Sequence, residues 1–162
     1  MWLGNRWEYC VAAIGTAMCG LIMATVNPAY RSDEFKHAAH LVGMRALIMQ
    51  SSLKTSNYHD ILRDAGNIPT LDLIIQVGTG PFPERVVSFN KLLRDHERDK
   101  VSLTAHSPHE AVNIQFTSGT TGRPKGATLS HSNILNNAAA FGQRLGFDRD
   151  DILICPLPMY HW

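Results

Sequence analysis

A run of ten residues late in the chain combines hydroxyl groups, glycines and a lysine in a way that suits a polyphosphate. This hydroxyl–glycine loop consists of Thr117, Ser118, Gly119, Thr120, Thr121, Gly122, Arg123, Pro124, Lys125 and Gly126. Glycine lets a backbone bend sharply and approach a ligand closely, and the hydroxyls can donate to phosphate oxygens. Successive backbone N–H groups can form an anion-binding concavity, and the Lys125 ammonium adds a charge-assisted hydrogen bond. The loop therefore predicts a polyphosphate site.

The hydroxyl–glycine loop has two other possible interpretations, a surface loop without a ligand and a standard P-loop. A surface loop rich in Ser, Thr and Gly needs no ligand, but this one sets its proline and lysine tightly behind the hydroxyls and glycines. The Walker pattern requires a Gly-Lys pair followed by Ser or Thr. Here Arg123 follows Gly122, and Gly126 follows Lys125. The sequence is therefore not that of a standard P-loop NTPase.

Regular elements are predicted on both sides of the loop and would fix its ends. Residues 112–116 have a short strand pattern that leads directly into the loop. Ser130 is a good N-cap for a following helix, and Gly146 is a good stop for it. Residues 152–155 are predicted to form one more buried strand.

The chain before the loop alternates between helix and strand patterns. Helices are predicted over residues 7–18, from an N-cap at Ser32 to a stop at Gly43, over residues 58–65 and after an N-cap at Ser88. Strands are predicted over residues 21–26, 45–49 and 71–77. This alternation indicates an α/β fold with sheets flanked by helices.

The composition is that of a globular protein with balanced charge. Hydrophobic residues make up 44% of the 162 residues and charged residues 18%, which excludes a disordered chain. Fifteen basic and fourteen acidic side chains leave a formal charge of +1. That balance gives no support to a nucleic-acid partner.

An uncharged stretch over residues 9–30 is long enough to cross a membrane. Glycines, small polar residues and the Asn27-Pro28 pair interrupt it. We therefore predict a buried helix followed by a buried strand and no transmembrane span, with membrane tethering as the alternative. No targeting segment is expected either, because the stretch lacks the basic start and cleavage site of a signal peptide.

The cysteines and histidines give little support to a metal site. Cys10, Cys19 and Cys155 include no C-x-x-C pair, and we predict buried thiols in a reducing compartment. His37 and His40 are three residues apart on a predicted helix, but no cysteine or acidic residue is spaced to complete a site. No metal ligand is therefore predicted.

Three motifs together resemble one known family. Residues 116–126, FTSGTTGRPKG, resemble the phosphate-loop signature of the adenylate-forming superfamily, which includes acyl-CoA synthetases, luciferases and peptide-synthetase adenylation domains. Residues 27–30, NPAY, followed by Glu34, resemble its early N-P-x-Y element, and residues 158–161, PMYH, its aromatic-histidine motif. The resemblance runs from about Asn5 to the last residue and is weakest over residues 53–109. The residues flanking the loop are similar to those of mitochondrial medium-chain acyl-CoA ligases, which implies a mitochondrial location.

The resemblance implies a fatty acid–CoA ligase that works in two steps. A fatty acid carboxylate attacks the α-phosphate of ATP to give acyl-adenylate and pyrophosphate, and the sulfur of coenzyme A then displaces AMP. ATP, Mg²⁺ and coenzyme A are thus implied, with Thr117 to Lys125 gripping the phosphates. His161 matches the family histidine near the acyl-adenylate, although a histidine without a catalytic role is the alternative. Tyr30 and Glu34 are expected to be structural.

The resemblance also implies that residues 1–162 are only the N-terminal part of an AMP-binding domain. The family's adenine-binding aromatic motif, magnesium-ligating glutamate, ribose-binding aspartate and catalytic lysine of the mobile C-terminal domain find no counterpart here. We therefore expect residues 1–162 alone to be inactive. The alternative is a truncated, non-catalytic protein that binds nucleotide or a partner.

Overall fold

A computed structural model describes residues 1–101, 103, 105–117, 124–154 and 156–161 of the chain. Helices and strands alternate through these residues, as the sequence predicts. They are, in order, α1 (Trp7–Met18), β1 (Met23–Thr25), α2 (Ser32–Leu41), β2 (Ala46–Gln50), β3 (Ser52–Leu53), β4 (Ser56–Asn57), α3 (Tyr58–Ala65), β5 (Leu73–Val77), β6 (Val86–Ser88), α4 (Phe89–Asp95), β7 (Ala111–Thr117), β8 (Lys125–Ser130) and α5 (His131–Leu145).

A parallel sheet with the strand order β2-β5-β6 has apolar packing on both faces. Successive residues of a strand point to opposite faces. Accordingly, Leu47 and Met49 of β2 belong to an apolar cluster with α2 and α3, whereas Ile48 packs against a second cluster that includes residues of α1 and α4. Helices on both sides of a parallel sheet confirm the α/β prediction.

The second sheet carries the loop and has the order β1-β7-β8. The central strand β7 pairs in parallel with β1, so that Thr25 lies opposite Gln115. It pairs antiparallel with β8, from Ala111 opposite Ser130 to Thr117 opposite Lys125. The predicted sheets flanked by helices are confirmed, and this sheet is mixed, with one parallel and one antiparallel pair. The antiparallel pair makes the hydroxyl–glycine loop the connection of a hairpin.

Several predicted helix ends are confirmed by their hydrogen bonds. Asn57 and Ser88 cap α3 and α4 through their side chains, and the Ser130 hydroxyl accepts from the backbone of α5. Gly146 ends α5 with φ +69°, a left-handed conformation that favours glycine. For α2 the N-cap is Arg31 instead of Ser32, a shift of one residue.

Helix α1 has the predicted bounds but is not buried throughout. Glu8, Tyr9 and Ala12 are buried. On the opposite face, each large apolar residue is at least 42% exposed; these residues are Trp7, Val11, Ile14 and Met18. The prediction of buried thiols is likewise wrong for Cys10 and Cys19, which are exposed. Cys10 lies on the outer side of α1 and Cys19 at its C-cap, while Cys155 lies outside the described residues.

The predicted strand over residues 152–155 is not observed in its described part. Ile152, Leu153 and Ile154 have no strand conformation and are at least 65% exposed. A strand needs a neighbour for its backbone hydrogen bonds, and none of the described strands pairs with these residues. Residue 155 lies outside the described part of the chain.

None of the described helices is both long enough and apolar enough to cross a membrane. The uncharged stretch divides into α1 and the short strand β1, as the preferred interpretation of the sequence has it.

Candidate functional site

The two ends of the hydroxyl–glycine loop lie side by side. Thr117, the last residue of β7, pairs with Lys125, the first residue of β8. The site residues Ser118, Gly119, Thr120, Thr121, Gly122 and Arg123 lie outside the described residues. A threonine hydroxyl and a lysine ammonium therefore flank the base of the predicted phosphate loop, one from each strand.

A cavity of about 580 Å³ opens beside the base of this loop. Its wall brings together parts of all three motifs that are far apart in sequence. The lining residues are Thr25, Asn27, Tyr30, Glu34, Phe116, Thr117, Pro124, Pro158, Tyr160 and His161. Of the predicted site residues, Thr117, Pro124 and His161 thus share one cavity, whereas exposed Lys125 lies next to Pro124 without lining it.

The NPAY segment forms a tight turn at the cavity wall. The Asn27 side-chain oxygen accepts from the backbone N–H of Ala29 at 2.9 Å. The backbone N–H of Tyr30 donates to the Asn27 carbonyl at 3.0 Å. Asparagine favours such turns because its side chain can satisfy a backbone group two residues on. The turn fixes where Tyr30 leaves the backbone.

Buried aromatic residues hold this turn from the protein interior. Trp2 is stacked between Phe35 and Tyr58, with ring centroids 4.4 and 4.0 Å away. Its indole N–H donates to the Asn27 carbonyl at 3.1 Å, and the Tyr58 hydroxyl donates to the Pro28 carbonyl at 3.0 Å. Burial, with a smaller contribution from the neighbouring Tyr160, raises the pKa of Tyr58 to about 12. Tyr58 therefore remains a neutral donor at physiological pH.

Tyr30 and Glu34 have visible structural roles at the cavity. Glu34 accepts a hydrogen bond from the Arg31 backbone N–H at 2.9 Å, at the N-terminus of α2. A carboxylate is favourable there because the helix dipole is positive. Burial raises the pKa of the Tyr30 hydroxyl, and the Glu34 charge adds to this effect. The Tyr30 ring lies 6.5 Å from that of Phe116 and forms an aromatic wall with it.

His37 contacts the loop, which sequence reasoning did not anticipate. Its Nε2 atom lies 3.3 Å from the carbonyl oxygen of Pro124. In the sequence, His37 stands out only together with His40, as a possible metal pair. Among the described residues there is no group of three or more His, Cys, Asp or Glu that can hold a metal. No local sequence pattern indicates this contact, because the two residues are 87 positions apart in the chain.

The PMYH segment reaches the same cavity from the other end of the chain. The His161 backbone N–H donates to the Pro158 carbonyl at 3.0 Å, which closes a turn. Met159 and Tyr160 pack against the apolar cluster that contains Leu3. Within this turn, Pro158, Tyr160 and the exposed His161 line the cavity.

The arrangement suits an anionic ligand held at the loop end of the cavity. Thr117 and Lys125 lie at the base of the loop, and the aromatic residues Tyr30, Phe116 and Tyr160 are among those that line the cavity beside it. The carboxylate of Glu34 is already engaged at the helix N-terminus.

Comparisons with known proteins show what the whole chain is similar to. The family model for AMP-binding enzymes matches residues 1–162. The mitochondrial medium-chain acyl-CoA ligase ACSF2 of Bos taurus is 34% identical over 184 positions, which cover 99% of this chain and 30% of that protein. The ACSF2 of Danio rerio is 34% identical over 183 positions, with the same shares of 99% and 30%.

Solved structures show the same fold. The acetoacetyl-CoA synthetase from Streptomyces lividans has a TM-score of 0.84 at 20% identity, over 98% of this chain and 26% of that one. A long-chain-fatty-acid-CoA ligase from Archaeoglobus fulgidus has a TM-score of 0.81 at 23% identity, over 99% and 30%. The chain thus spans about 30% of the length of the curated relatives it matches.

Proposed function

This chain belongs to the AMP-binding enzyme family, and from that premise we propose that it is part of an ATP-dependent acyl-CoA ligase acting on fatty acids. One observation supports this proposal more strongly than the others. The base of the hydroxyl–glycine loop opens onto a cavity that the NPAY and PMYH motifs also line. Such convergence is expected if the three motifs surround one reacting group.

In the proposed first step, a carboxylate oxygen of the fatty acid attacks the α-phosphorus of ATP. A new C–O–P linkage forms, and the bond to the bridging oxygen breaks, so that pyrophosphate leaves with the negative charge. Hydroxyl and N–H groups of the loop and the Lys125 ammonium stabilise this charge on the departing phosphates. The residues Thr117 to Lys125 are thus assigned to the β- and γ-phosphates.

In the proposed second step, the sulfur of coenzyme A attacks the acyl carbon, and AMP leaves. His161, which lines the cavity, is assigned to contact the acyl-adenylate. The Tyr30 and Phe116 rings, 6.5 Å apart, form an apolar wall that shields the intermediate from water. Exclusion of water is useful here because an acyl-adenylate hydrolyses readily.

Mg²⁺ would accompany ATP and neutralise part of the phosphate charge. Among the described residues, the cavity supplies the Thr117 hydroxyl and the Glu34 carboxylate, which already accepts a hydrogen bond from the Arg31 N–H. We therefore assign no residue of this chain as a magnesium ligand. The role assigned to these residues is to hold the phosphates.

A mitochondrial location is part of the proposal, because the similar ligases of Bos taurus and Danio rerio are mitochondrial by name. It predicts that a fluorescent fusion of the full-length gene product colocalises with a mitochondrial marker. A diffuse or reticular distribution would contradict it.

The activity is tested with the full-length gene product that contains these residues. The purified protein is incubated with ATP, Mg²⁺, coenzyme A and short-, medium- and long-chain fatty acids. Mass spectrometry should detect acyl-CoA, AMP and pyrophosphate in equal amounts, with medium-chain acids as good substrates. ATP binding without acyl-CoA formation from any acid would overturn the proposal and indicate a non-catalytic nucleotide-binding protein.

A further inference from the structure

We propose that Asn5 is a positioning residue that holds the PMYH turn, and with it His161, against the cavity. The effect of Asn5 on catalysis rests on the proposed function. The anchoring itself rests on the structure alone.

The Asn5 side chain makes two hydrogen bonds with backbone groups 152 and 154 residues away. Its Nδ2 donates to the Leu157 carbonyl at 2.8 Å. Its Oδ1 accepts from the Met159 N–H, also at 2.8 Å. One planar amide thus pairs with the residues on both sides of Pro158, as a neighbouring strand would.

No other hydrogen bond ties residues 156–161 to the rest of the described chain. The one further backbone bond, from His161 to Pro158, lies inside the turn. Packing of Met159 and Tyr160 on the apolar cluster with Leu3 holds the turn down. Such packing is not directional, so the register of the turn depends on Asn5.

The anchored turn also separates two cavities. Pro158 and Tyr160 line both the 580 Å³ cavity with the loop and a second cavity of about 520 Å³. Asn5 itself lines the second cavity. A shift of the turn would therefore move the wall between them and change the position of His161 relative to the phosphate loop.

Only a side-chain amide of this length can make both hydrogen bonds, to the Leu157 carbonyl and from the Met159 N–H. Aspartate keeps the acceptor for Met159 but loses the donor and sets a negative charge against the Leu157 carbonyl. Glutamine keeps both groups but places them one methylene farther out. Alanine removes both bonds. These variants separate the amide's chemistry from the space it fills.

The first measurement is amide hydrogen exchange, which needs no activity. In the full-length gene product, Asn5→Ala should speed exchange at Met159 about tenfold, as expected for losing its hydrogen bond. Asn67→Ala, which removes an exposed amide in the loop between α3 and β5, should leave that exchange unchanged. Equal protection of Met159 in wild type and Asn5→Ala would overturn the anchoring.

The second measurement is a double-mutant cycle on acid-dependent ATP–pyrophosphate exchange. Asn5→Ala should lower the exchange rate about tenfold at saturating ATP, Asn5→Gln and Asn5→Asp should not restore it, and Asn67→Ala should have no effect. In a His161→Ala background, Asn5→Ala should have little further effect, because the group it positions is gone. If Asn5→Ala lowers the exchange rate as much in the His161→Ala background as in the wild type, Asn5 does not act through His161, and the positioning role is overturned.

The two measurements together distinguish a failure of this inference from a failure of the proposed function. A wild type without exchange for any acid overturns the proposed function and the catalytic half of this inference together. A wild type that is active while Asn5→Ala keeps full activity and unchanged Met159 protection overturns this inference alone.

Discussion

The imidazole Nε2 of His37 lies 3.3 Å from the carbonyl oxygen of Pro124, which joins α2 to the end of the hydroxyl–glycine loop. The N-terminus of the same helix begins directly after the NPAY turn. Helix α2 therefore links two of the three motifs that line the cavity. The protonated nitrogen of His37 donates, so either the neutral Nε2–H tautomer or the cation can make the bond.

The first prediction concerns this hydrogen bond. His37→Ala in the full-length gene product should raise the KM for ATP about threefold to tenfold, the range expected for one lost hydrogen bond. The KM for the fatty acid should change little, because the bond acts on the phosphate loop. Initial-rate kinetics with each substrate varied in turn measures both constants.

His40→Ala is the matched control. His40 is an exposed residue of the same helix with the same side chain. An equal rise in the KM for ATP in both variants would show that α2 has lost stability as a whole. It would remove His37 from the positioning of the loop.

The second prediction concerns Gly126, next to Lys125 at the end of the loop. A Cβ at this position would lie 3.0 Å from the Ile114 Cγ2 atom. Gly126→Ala should therefore destabilise the protein by about 1–2 kcal/mol through overpacking. Urea unfolding measures the change, and in an Ile114→Ala background, where the Cγ2 methyl is absent, Gly126→Ala should cost less.

Gly142→Ala provides the control for this substitution. Gly142 lies inside α5, and a Cβ there meets nothing within 4 Å. Alanine should stabilise the helix by about 0.5–1 kcal/mol. A Gly126→Ala protein as stable as wild type would show that β8 accommodates a side chain and that no tight contact fixes this end of the loop.

The third prediction is a pH dependence of stability from Glu8. Arg6 donates to Glu8 at 2.9 and 3.1 Å, and these hydrogen bonds hold the pKa of the buried Glu8 carboxyl below its usual value, against the opposing effect of burial. A lowered pKa in the folded state means that the ionised carboxylate stabilises the fold at neutral pH. This contribution is lost as the pH falls from the unfolded-state pKa through the folded-state pKa.

Glu8→Gln should therefore lower the free energy of unfolding at pH 7 by about 1 kcal/mol and leave a smaller difference in acid. Urea unfolding at neutral and acidic pH measures both values. Glu97→Gln, in the exposed charged segment after α4, should leave the pH profile unchanged. A Glu8→Gln protein with the wild-type acid dependence would refute the role of this ion pair.

Features that local chemistry determines could be predicted from the sequence. The N-cap at Ser130 and the stop at Gly146 depend on residue types at short spacing and are confirmed. The polyphosphate site at residues 117–126 is inferred in the same way and stays a prediction. Features that depend on distant partners could not. Strand β8 has little apolar pattern of its own and is a strand because it pairs with β7.

The same reason explains the wrong strand prediction and the contacts that the sequence did not reveal. Residues 152–154 have a strand-like composition, but none of the described strands pairs with them. The bonds of His37 and Asn5 join groups 87 to 154 residues apart, so no local pattern could reveal them. Sequence motifs indicated which residues meet at the cavity, whereas the residues that hold those motifs became visible only in the fold.

The central claim is that the loop between β7 and β8 grips the phosphates of ATP, and Lys125 is the described cation at its base. Charge on the departing pyrophosphate is greatest in the adenylation step, so that step should depend on Lys125 most strongly. Lys100→Ala, in the exposed segment after α4, is the matched control for the loss of one lysine charge.

Acid-dependent ATP–pyrophosphate exchange by the full-length gene product tests this claim most directly. Lys125→Ala should lower the exchange rate by the equivalent of about 2–4 kcal/mol, the range for losing one preorganised contact to developing charge. The KM for the fatty acid and the exchange rate of Lys100→Ala should stay at their wild-type values. An active wild type whose exchange rate is unchanged in Lys125→Ala would contradict the assignment of Lys125 to the phosphates.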